Sequence, residues 1–160
     1  MMTAASMELV NPPEGYAAVY PDGKIVDTSV GFGILTSSHC ALSTNMLNLQ
    51  KSVFKTIADL QAAAGLTPAI QFGEMLWWFF TNYSAANPGG GMAFYDDDTR
   101  AAAIAALGRP LAIFREPTDN PAGPDAIFLR NRLRDHAAAI ASYVKSFMPT
   151  LRWNCFFPTM

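Results

Sequence analysis

The stretch Ser43–Glu74, "STNMLNLQKSVFKTIADLQAAAGLTPAIQFGE", decides the fold class, because it reads as a helix, a stop and a strand in immediate succession. Ser43 has the side chain of a helix N-cap, and Gly65 suits the left-handed residue that ends a helix. Between them Met46, Leu49, Val53, Ile57, Leu60 and Ala64 recur at helical spacing and predict one buried stripe. Lys51, Lys55 and Asp59 lie off that stripe, on the wet side. After Gly65–Pro68 stops the helix, Ala69–Glu74 predicts a strand.

The same pattern repeats downstream. A helix is predicted from Ala126 to Phe147, with Asp125 at the end that favours negative charge. Its buried stripe would be Phe128 or Leu129, then Leu133, Ala137, Ile140, Val144 and Phe147. Pro149 ends it, and Arg152–Phe157 predicts another strand. Upstream, Ala5–Val10 predicts a first strand, stopped by Asn11-Pro12-Pro13. A shorter helix, Asp97–Leu107, is closed by Gly108 and opened by Asp96, Asp97 and Asp98, which suit its free amides. Leu111–Phe114 is a fourth, weaker strand.

Helix-to-strand links are short, and both strand-to-helix links are long: Asn11–Leu42 and Met75–Pro124. Parallel strands joined by helices place all such long loops at the strand C-termini, the face that carries ligands in α/β proteins. The expectation is a single α/β domain over residues 1–160: a partial (β/α) TIM-barrel-like segment with three or four parallel strands and long βα loops. Three strands cannot close a barrel. The chain therefore either self-associates or belongs to a longer chain.

Hydrophobic residues make up 51% and charged residues 15%, a charge-poor balance that fits such a covered edge. The net charge of -2, with no run of Lys or Arg, argues against nucleic acid. The most apolar run, Met75–Phe80, is too short to span a membrane. The N-terminus has no signal-peptide pattern, so the cytoplasm is the default compartment. Cys40 and Cys155 are far apart and lie in no metal-ligand motif, and no metal or cofactor is expected. His39 beside Cys40 makes a poor nucleophile pair, and His136 reads as a packing histidine.

Glu74 is the first candidate for chemistry. It ends a strand just before Trp77-Trp78-Phe79-Phe80, where aromatic neighbours would desolvate the carboxyl and raise its pKa. Glu8, on what would be the neighbouring parallel strand, is its candidate partner; two carboxylates are the minimum for glycoside hydrolysis. Gln71, Asn11 and Tyr95 are candidate substrate contacts, with Trp77 and Trp78 as sugar-stacking platforms. Gly89-Gly90-Gly91 lacks the Lys-Ser/Thr of a phosphate loop. Asp96–Asp98 reads as capping rather than as a cation site.

Three stretches carry a family resemblance: "CALSTNMLNLQKSVFKTIADLQAAAGLTPAIQFGEMLWWFF" (40–80), "GGGMAFYDDDTRAAAIAALGRPLAIF" (89–114) and "DAIFLRNRLRDHAAAI" (125–140). They resemble a group of bacterial and phage-associated proteins that looks like the (β/α)8 glycoside hydrolase barrels. The opening "SMELVNPP" resembles an earlier strand of such a barrel. The resemblance implies a carbohydrate-active barrel segment, with acid/base chemistry on a glycosidic bond. It makes Glu74 of "QFGE" the matched carboxylate and Glu8 and Asn11 a looser match. Asn154 of "RWNCFFP" stands where the group would have an acidic residue. The alternative is a non-catalytic carbohydrate-binding or assembly protein.

Overall fold

The structure is a computed structural model, and it describes residues 2–5, 8–26, 38–72, 92–114, 119 and 122–155. The chain is a mixed α/β protein. Its elements run β1 (Thr3–Ala5), β2 (Glu8–Leu9), β3 (Ser38–His39), α1 (Thr44–Ala63), β4 (Ala69–Phe72), α2 (Asp97–Leu107), α3 (Gly123–Phe147) and β5 (Arg152–Cys155). Strands β1, β4 and β5 form a parallel sheet in that spatial order. Helices α1 and α3 pack against each other, and α2 packs on α3.

The end chemistry of the helices is local and follows the sequence. The Ser43 side chain accepts from Met46 N–H at the start of α1, and Gly65 takes φ +74° after its end. Asp96 accepts from Thr99 N–H to cap α2, and Gly108 ends it in the left-handed region at φ +70°. Helix α3 begins at Gly123, three residues before the expected start at Ala126, with Pro124 in its first turn. Its buried face carries Phe128, Leu129, Leu133, Ala137, Ile140 and Val144 as expected, but Phe147 is exposed.

Three other expectations are corrected. The buried face of α1 is Met46, Gln50, Phe54, Ala58 and Gln61, while Leu49, Val53 and Leu60 are exposed. The stripe is turned by about one residue because Phe54 fits the sheet, meeting Phe72 at 5.4 Å and Trp153 at 5.6 Å between ring centroids. The expected first strand, Ala5–Val10, is two strands. Only β1 joins the parallel sheet, and β2 pairs antiparallel with β3, Glu8 opposite His39. Leu111–Phe114 is not a strand: Phe114 N–H donates to the Tyr95 hydroxyl, and Phe114 C=O accepts from Met92 N–H.

Gln61 closes the junction between α1 and the sheet. Its amide accepts from Ala69 N–H at 2.9 Å and donates to Ala69 C=O at 3.2 Å and to Thr3 Oγ1 at 2.9 Å. It therefore ties α1 to the first residue of β4 and to β1. Gln61→Leu is expected to cost about 1–3 kcal/mol in urea unfolding, since the buried Ala69 N–H loses its acceptor. An unchanged midpoint would mean that these bonds do not hold the junction.

The register fixes the direction of α1. Gln61 lies against Ala69, where β4 starts, and Phe54 against Phe72, where it ends. The helix thus runs antiparallel to β4, and its N-terminus lies about 16 Å further toward the strand C-termini. Side chains of Ile70, Phe72 and Trp153 face the helices. By strand alternation, Ala4, Gln71 and Asn154, which are register partners, share the opposite face.

Candidate functional site

At this C-terminal side, the N-termini of α1 and α2 meet. Asp98 in the first turn of α2 accepts from Thr44 N–H, the first amide of α1, at 2.6 Å. The bond holds the Asp98 carboxyl below its usual range. One carboxylate thereby serves a helix 54 residues away, a pairing that no local spacing reveals.

Two loop segments complete the arrangement. In the turn Pro13–Tyr16, closed by Tyr16 N–H to Pro13 C=O at 3.2 Å, Gly15 takes φ +81°. A side chain there would be strained and would press on Asn45, while the Gly15 C=O accepts from the Ser43 hydroxyl. Residues 16–20 then run between two neighbours. Ala18 N–H donates to His39 C=O, Ala41 N–H donates to Tyr16 C=O, and Val19 bridges Phe94 in parallel. Arg132 of α3 adds a bond to Leu42 C=O at 2.8 Å.

These ties surround a cleft of about 630 Å³. Its lining includes the polar side chains Glu14, Ser43, Asn45, Asp96, Asp97, Asp98 and Arg100 and the apolar side chains Ala17, Val19 and Ile25, with the ring of Tyr95. Asp96 is 6% exposed, and burial raises its carboxyl above the ordinary range, against the lowering effect of Thr99 and Arg132. A second depression, about 530 Å³, lies between α2 and α3 and is lined mainly by apolar side chains such as Leu107, Ile127 and Phe128.

The expected site residues fall in different places. Glu74, Trp77 and Trp78 lie outside the described residues. Glu8 is not on a strand beside β4 but on β2, past the end of β1. Asn11 is exposed in the turn that follows, with φ +47°. Gln71 is half-buried on the sheet face away from the helices, next to Asn154. Tyr95 does line the cleft, but its hydroxyl donates to Ala112 C=O at 2.7 Å and accepts from Phe114 N–H at 2.9 Å. It offers the cleft a ring rather than a polar tip.

Glu14, Ser43 and Asn45 are the contributors that the sequence does not single out as a site. Tyr95 and the dense carboxylates at Asp96–Asp98 are the signals pointing there, and capping accounts for Asp96 and Asp98 only in part. Compared with protein-family models, with curated proteins and with solved structures, the chain matches none. No helix among the described residues is long and apolar enough to cross a membrane.

Proposed function

We propose that this chain is a segment of a (β/α) barrel that binds a carbohydrate in the cleft at the strand C-termini. The observation that carries the reading is the mixed polar and apolar lining of that cleft. A sugar ring has an apolar C–H face and a rim of hydroxyls. Ala17, Val19, Ile25 and the Tyr95 ring suit the first, and the carboxylates and Asn45 accept or share hydrogens from the second. The sheet supports the barrel part of the reading. Strand order follows chain order, and α1 and α3 touch each other, so both crossovers lie on one face, as they do in barrels.

In this reading Glu74 and Glu8 are the acid/base pair and Trp77 and Trp78 stacking platforms. The test is titration with a panel of neutral oligosaccharides, followed by a hydrolysis assay of each ligand found. Saturable binding is expected, with turnover abolished in Glu74→Gln while binding persists. Binding without turnover in the unsubstituted chain would leave a carbohydrate-binding protein, and no binding would overturn the reading. The exposed apolar side chains Leu49, Val53 and Leu60 on α1 favour an assembly role in addition, with another copy or a further part of a longer chain covering them.

A further inference from the structure

We draw no further inference here: the strongest candidate, the surface patch of Leu49, Val53 and Leu60 along α1, is an exposed apolar face, and nothing among the described residues shows what covers it.

Discussion

Phe54→Ala is expected to destabilise the chain by about 3–5 kcal/mol, whereas Leu60→Ala changes stability by no more than about 0.5 kcal/mol. Both residues are large, apolar and on the same helix. Phe54 is 1% exposed and fills the space between α1 and the sheet, edge-on to Trp153 and tilted against Phe72. Removing its ring leaves a cavity that the sheet cannot close. Leu60 is 66% exposed. Urea unfolding of the two variants decides which face of α1 is buried. Equal losses, or a larger loss for Leu60→Ala, would return the helix to the phase that the spacing of Leu49, Val53, Ile57 and Leu60 suggests. A loss of the expected size is a large share of the 5–15 kcal/mol that holds a typical domain together.

The second large effect is acid destabilisation through His136. This histidine is 6% exposed between α3 and α1, with Nε2 2.6 Å from Gln50 Oε1. Burial first, then the nearby charges of Arg132 and Lys51, lowers its pKa from 6.5 to about 4. The folded chain therefore takes up the proton later than the unfolded chain does. Stability is full above about pH 6.5, falls as the pH drops toward 4, and the loss is complete below that. The gap between the two values corresponds to about 3 kcal/mol, of which about 2 kcal/mol is lost by pH 5.

Three carboxylates act differently from His136. Asp98 and Asp125, held low by Thr44 and Arg109, are lost as stabilisers only as the pH falls through their lowered values, beneath the His136 window. Asp96, raised by burial, has the opposite sign. Its contribution is present at low pH and lost as the pH rises, so its protonation offsets part of the acid loss. Urea unfolding of the native chain and His136→Gln from pH 7 to pH 5 isolates the histidine. The native chain should lose about 2 kcal/mol more than the variant. Parallel curves would mean that His136 titrates normally.

How far these features are legible in the sequence depends on how local their causes are. Ser43, Gly65, Asp96 and Gly108 act within a turn of their own positions, and the bounds of α1 and α2 follow from them. Ala69 and Arg152 begin strands just after prolines that end the preceding helical segments. The phase of α1 is different. Its apolar residues wrap two overlapping stripes, and the buried one includes Gln50 and Gln61. Both look like surface residues until partners elsewhere in the chain, His136 and Ala69, satisfy their amides. The split of the first strand likewise depends on Ser38–His39, a partner far along the chain.

The cleft is the least legible part. Its walls are assembled from the turn at Glu14–Gly15, the start of α1 and the start of α2, held together by single bonds such as Thr44 N–H to Asp98. Spacing within any one segment carries no trace of that meeting. The residues that do stand out in the sequence are Glu74, Trp77 and Trp78, close together along the chain, and Glu8 at a strand end. Each is conspicuous by its own neighbours rather than by a common site.

Amide NMR during titration with the oligosaccharide of highest affinity decides whether the cleft at the strand C-termini binds sugar. Saturable shifts are expected at Glu14–Gly15, Ser43–Asn45 and Asp96–Asp98, with the far end of α1 near Gln61 unmoved. Shifts grouped instead between α2 and α3, or no saturable shift at any sugar concentration, would contradict binding there.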